Sequence, residues 1–202
     1  TSETPATTQL RVSCGPDYDV RLDDESFSET HNVYVAGLIA GTTCNLIARS
    51  VTSAGEIGIA EATFGPVGPV PDIVPELEVT VNDRMRSQSG WTLFNLTNTE
   101  NQTNEVIVMV DLEGRYRWYH RRAGDTRASG GFDTRIVADG VMSSGRRGGM
   151  PAPAIIGYQG NVIWEDVFDT HHDMRPSPFA DDHLLFLSYA NCEGAGSSEA
   201  VA

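Results

Sequence analysis

The sequence predicts an all-β protein built in two parts. Apolar residues alternate with polar ones in short runs bounded by Gly, Asp, Asn and Ser, and no amphipathic helical period runs longer than two turns. A strand–glycine–strand–tryptophan unit also recurs at a spacing of 46 residues, the self-similarity that repeated sheets leave in a chain. The length of 202 residues suits one or two domains, and hydrophobic residues at 40% against charged ones at 21% suffice for a buried core.

The first part spans residues 1–66, with strands expected at Leu10–Cys14, Tyr18–Leu22, His31–Ala36, Cys44–Val51 and Ile57–Phe64. The clearest alternation sets Cys44, Leu46, Ala48 and Ser50 against Asn45, Ile47, Arg49 and Val51. Gly37 to Cys44, followed by Ala48-Arg49-Ser50 and Ala54-Gly55, resembles the E–F corner and F strand of a fibronectin type III-like sandwich, with Cys44 where a tyrosine is usual. An Ig-like or fibronectin type III-like β module is therefore expected here. Cys14 and Cys44 stand about thirty residues apart, which fits either one disulfide in an oxidising compartment or two buried thiols. Cys192 has no partner in this reading, and the lack of a Cys-x-x-Cys pair argues against structural zinc. Thr1 to Thr8 look like the start of a mature chain after leader removal, which implies a secreted or periplasmic location. Residues 67–82 read as a stiff linker, because Pro69, Pro71 and Pro75 fix their own φ and push the preceding residues out of the helical region.

The second part, residues 83–202, is expected to be an incomplete β-propeller of two to three blades. Glu105 to Gly114 leads to Trp118, and Pro153 to Gly160 leads to Trp164; both glycines and both tryptophans are 46 apart. The tryptophans follow the period, so they read as packing residues rather than ligand platforms. A second echo, Phe132-Asp-Thr-Arg135 against Phe168-Asp-Thr-His171, recurs at 36. Asp139-Gly140 reads as a tight turn. At roughly 40–50 residues per blade, the stretch from Trp91 onward supplies about two and a half blades of the four to eight in a closed ring. The chain is therefore expected to be the N-terminal portion of a longer protein.

Charge narrows the partners. The net charge of -14 disfavours nucleic acid, and no apolar run is long enough to span a membrane. All 14 cations are arginines, so Schiff-base chemistry is excluded and forked anion contacts are the cationic option. Between Arg115 and Arg147, eight arginines face three acids, a local patch able to draw a sulfate or phosphate ester. Arg115, Arg117, Arg121 and Arg122 read more simply as the solvated face and tip of a hairpin. Arg135 is the substrate-binding candidate, because it fills the slot that His171 fills in the second echo. The densest polar group is His171-His172-Asp173. A neutral imidazole at the start of an inner strand can attack an electrophile or protonate a leaving oxygen near neutral pH, so His171 and His172 are the catalytic candidates. In a regular strand the two rings point to opposite faces. A metal site ranks lower, since adjacent residues rarely chelate one ion.

Trp91-Thr-Leu-Phe-Asn95, Val108 to Trp118, Asp139-Gly140, Gly160 to Trp164, and His171-His-Asp173 ahead of Leu184-Leu-Phe-Leu187 together resemble the arylsulfate sulfotransferase family over about residues 70–190. The resemblance implies an extracytoplasmic six-bladed propeller behind an Ig-like module. It would move sulfate from a phenolic sulfate ester to a phenol without nucleotide donor or cofactor. It also implies a transiently sulfated histidine from a later blade, with His171 or His172 as a supporting funnel histidine; this chain alone would be an inactive fragment. The competing expectation is a non-catalytic extracellular assembly module of Ig-like and propeller-like sheets, whose exposed blade edges favour strand addition to neighbouring copies. A carbohydrate- or calcium-binding propeller is a third option.

Overall fold

The computed structural model describes residues 4–72, 74–97, 105–122, 133–143, 153–165, 170–178, 183–190 and 199–201. Among them are fourteen strands and no helix, so none is long and apolar enough to cross a membrane. The chain divides into two compact units, Thr1–Ile73 and Val74–Ala202.

The first unit contains β1 (Ala6–Ser13), β2 (Asp19–Ser28), β3 (Cys44–Thr52) and β4 (Ile57–Phe64), an antiparallel sheet in the order β2-β1-β3-β4. Alternation decides its inner face: Cys44 is buried and Leu46, Ala48 and Ser50 are half-buried, while Asn45, Ile47 and Arg49 are exposed. Cys14 and Cys44 form a disulfide. The bond extends the β1–β3 register of Val12 with Leu46 and Ser13 with Asn45 by one further pair, at a Cα separation of 4.2 Å. Around it Val12, Tyr18 and both cysteines make the core, packed by Leu10, Val20, Val35, Leu38, Leu46 and Val67.

The expected strand at His31–Ala36 is absent; residues 29–43 are an irregular cover over this core. Alternation reports one-sided burial, which a covering loop shares with a strand, but not the neighbour that a strand needs. Side chains anchor the cover instead. The Tyr18 hydroxyl donates to the Ala36 carbonyl, and His31 Nδ1 lies 2.8 Å from Asp24 Oδ2. Hydrogen bonds from the Ser26 hydroxyl, the His31 ring and the Ser26 amide hold the Asp24 carboxyl down at about 2, against an ordinary 3.8.

The second unit is a succession of meanders. Its first sheet is β5 (Thr92–Thr97), β6 (Glu105–Val110) and β7 (Tyr116–Arg122) in chain order. The second is β8 (Thr134–Val137), β9 (Gly140–Ser143), β10 (Ala154–Gly157) and β11 (Val162–Glu165), again in chain order. The third is β12 (Thr170–Pro176), β13 (Leu184–Ala190) and β14 (Glu199–Val201).

The echo at 46 is a repeated hairpin. Met109 pairs with Trp118 and Val110 with Tyr116, skipping one residue; Ile155 pairs with Trp164 and Ile156 with Val162, skipping the same one. The turns match as well: Gly114 N donates to Asp111 O at 3.0 Å, and Gly160 N to Gly157 O at 2.8 Å. Both glycines are left-handed, with φ of 75° and 83°, the conformation this turn demands and β-carbons resist. Asp139-Gly140 differs from its expected role. The turn residues are Ala138 and Asp139, and Gly140 already begins β9, where an added Cβ would lie 2.1 Å from the Ile156 carbonyl oxygen. Glycine is needed there for close strand approach rather than for turning.

The first two sheets share a core of Ile107, Met109 and Trp118 against Val141, Ala154 and Ile156, flanked by Leu93 and Tyr158. Trp118 is 8% exposed and donates through Nε1 to the Tyr158 carbonyl at 2.9 Å, so its polar atom is satisfied as its rings are buried.

Two outcomes follow from the first unit. Reducing the disulfide, which closes a loop of 30 residues, is expected to cost that unit about 3–4 kcal/mol. Circular dichroism should show an earlier unfolding transition, while tryptophan fluorescence stays unmoved because all three tryptophans lie in the second unit. The Asp24 value lies below that of the unfolded chain, so its stabilisation is present above pH 3.8 and vanishes as pH falls toward 2. Asp24→Asn should flatten that acid limb in unfolding curves measured across pH.

Candidate functional site

Arg135 and His171 hold the same place in successive sheets. Thr134 opens β8 and Thr170 opens β12, each the first strand of its meander, so both residues stand second in a first strand. The 36-residue echo is thus an equivalence of backbone position. Arg135 pairs with Met142 across the ladder, and its Nε donates to Asp133 Oδ2 at 2.8 Å. That bond orients a guanidinium that is 38% exposed.

On β12, Thr170 pairs with Ser188 and Met174 with Phe186. Three residues, His171, His172 and Asp173, therefore stand against Leu187 alone, an irregularity in the backbone ladder. The side chains of His171, His172 and Asp173 lie outside the described residues. Cys192, Arg127, Arg146 and Arg147 lie outside them altogether.

The arginine-rich hairpin also differs from expectation. Arg117 is 5% exposed at its side chain and Arg115 31%; neither is a freely solvated charge. Both donate through Nε to Asp111 Oδ2 at 2.8 Å, while Oδ1 accepts the Arg115 amide at 2.9 Å and the Glu113 amide at 3.0 Å. Burial by itself would raise the Asp111 carboxyl, but bonds from the Arg115 amide and the two guanidiniums outweigh it, and the carboxyl is held below its ordinary range. Glu113 accepts from both Arg84 and Arg115, and Asn82 Nδ2 and the Tyr116 hydroxyl tie residues 75–82 to the same hairpin.

Counting charges from Arg115 onward misses Asp111 and Glu113, which sit just upstream and neutralise the first two arginines. The legible signal is an acid four and six residues ahead of two arginines across a glycine turn, which wraps both cations onto one carboxylate. Arg117 is also the residue skipped at the β6–β7 bulge, so the irregularity delivers it to Asp111. In the repeated hairpin Gly157 and Ile163 stand at the positions of Asp111 and Arg117, so this charge cluster belongs to one hairpin and not to the repeat. Arg121, by contrast, is exposed as expected, and Arg135 is partly open to solvent at 38%.

Compared with known proteins, the chain matches no family model, no curated protein and no solved structure.

Asp111→Ala leaves the buried Arg117 guanidinium without its carboxylate and is expected to destabilise the second unit by about 3–5 kcal/mol. Tryptophan fluorescence in denaturant should report it as a lowered midpoint. An unchanged midpoint would mean that Arg117 finds water or another acid when Asp111 is removed.

Proposed function

We propose that the second unit is a run of propeller blades of the arylsulfate sulfotransferase type behind an Ig-like module, and that the ring-closed protein transfers sulfate between phenols outside the cytoplasm. The observation that carries this reading is the shared strand position of Arg135 and His171, on first strands of sheets that follow one another as meanders. The repeated hairpin and the approach of first strands β5 and β8 to each other support it, since blades converge along their first strands. A disulfide is compatible with an oxidising, extracytoplasmic compartment.

The chemistry is an exchange of one ester for another through nitrogen. An imidazole nitrogen supplied by a later blade forms a bond to sulfur as the donor S–O bond breaks, and the departing phenolate takes a proton. The acceptor phenol then loses its proton as its oxygen bonds to sulfur and the N–S bond breaks. In this reading Arg135, steadied by Asp133, neutralises charge on the sulfuryl oxygens, and His171 and His172 donate hydrogen bonds or a proton at the bridging oxygen.

Three sheets are fewer than a ring needs, so the test uses the ring-closed protein that contains this chain. With 4-nitrophenyl sulfate and a phenol it is expected to show ping-pong kinetics. His171→Ala and His172→Ala should lower kcat, at least one of them by about 100-fold, with Arg135→Met weakening the donor's kcat/KM. A folded, ring-closed protein without turnover sinks the reading and leaves the non-catalytic assembly module in its place.

A further inference from the structure

The two edges of the first sheet are defended unequally. Edge strand β2 carries Asp19, Arg21, Asp23, Asp24 and Glu25, and a bulge interrupts its pairing with β1. Charges and bulges are the usual means by which an edge resists adding another strand. The opposite edge, β4, is nearly bare: Ile57-Gly-Ile-Ala-Glu-Ala-Thr-Phe64 pairs with β3 in unbroken register, contains no proline, and has Glu61 as its one charge. Every one of its eight residues is exposed, Ile57 to 57% and Ile59 to 67%.

The direction of its spare hydrogen bonds follows from the turn before it. Thr52 N donates to Glu56 O, so that pair is hydrogen-bonded and the pairs alternate from there. Gly58, Ala60, Ala62 and Phe64 spend their backbone groups on β3, while Ile57, Ile59, Glu61 and Thr63 aim theirs outward. We propose that β4 is the dimerisation edge of this protein, pairing antiparallel with β4 of a second copy about a two-fold axis through Ala60.

Symmetry and charge select that register. A two-fold axis normal to the sheet keeps inner faces together, so the axis passes through a residue. Centred on Glu61, it sets two carboxylates directly opposite each other. Centred on Ala60, it sets Ile59 opposite the partner's Glu61 and Ile57 opposite the partner's Thr63, all four outward-bonding. Arg49 pairs with Ile59 across β3–β4, on the same exposed face. Neither Arg49 nor Glu61 takes part in an ion pair among the described residues. In the dimer each Arg49 reaches over Ile59 to the partner's Glu61, giving two symmetric ion pairs. This complementarity favours a second copy over an unrelated strand.

The register is tested by cross-linking the full chain in a Cys192→Ser background. Ala60 on the axis forms a non-hydrogen-bonded pair with its counterpart, the same type of site that holds Cys14 and Cys44 in this sheet. Ala60→Cys is expected to give a disulfide-linked dimer on oxidation, and Ile59→Cys none; no cross-link at 60, or equal cross-linking at 59, overturns the register. Sedimentation from micromolar to millimolar concentration should show a monomer–dimer equilibrium that Glu61→Arg weakens about tenfold and the added Arg49→Glu restores. A chain that stays monomeric throughout overturns the proposal. Both charge variants lie on the exposed face, so their folding is checked by an unchanged circular dichroism spectrum.

Discussion

A short antiparallel meander has one apolar face that it cannot bury by itself, and the second unit depends on one sheet supplying the cover for the next. Ile107, Met109 and Trp118 do this for Val141, Ala154 and Ile156. Trp118 matters most because it meets two demands at once. Its rings fill the space between the sheets, and its Nε1 finds the Tyr158 carbonyl in the turn that ends with Gly160. The repeated hairpin thus contributes both the tryptophan of one sheet and the carbonyl that receives it from the other. The first unit solves the same problem differently, with an irregular loop as cover and a disulfide between its central strands.

The acidic composition shapes how cations are used. With no lysine, each positive charge is a planar fork able to hold two oxygens at fixed geometry. The structure spends Arg11 on Asp19, Arg115 and Arg117 on Asp111, and Arg84 on Glu113. Arginine here serves first as an internal clamp on turns and strand pairs. Arg135, held by Asp133 at 2.8 Å, follows the same pattern.

Much of the strand layout was legible, because period-two alternation and glycine turns are local. Ile57–Phe64 is a strand over the expected bounds, and the 46-residue spacing reappears as one hairpin geometry used twice. The misses have a common origin. His31–Ala36 alternates like a strand, yet its neighbour is a core face and not a ladder. Arg117 looks like a hairpin surface residue until a bulge and an upstream acid bury it. Gly140 looks like a turn glycine until the Ile156 carbonyl is seen against it. For the candidate site, the position of Arg135 and His171 was readable from their common Phe-Asp-Thr prefix, but the bulge at His171–Asp173 depends on how β13 is paired.

By itself the sequence determined that this chain is all-β, where most turns fall, and which residues repeat, since backbone conformation and one-sided burial are governed by neighbours close in the chain. Only the tertiary structure decided that Cys14 meets Cys44, that Asp111 gathers two guanidiniums, and that one sheet edge is left nearly bare while the other is charged. Those outcomes depend on register and on strand order, and neither is written in any local stretch because each requires two distant segments to choose one another.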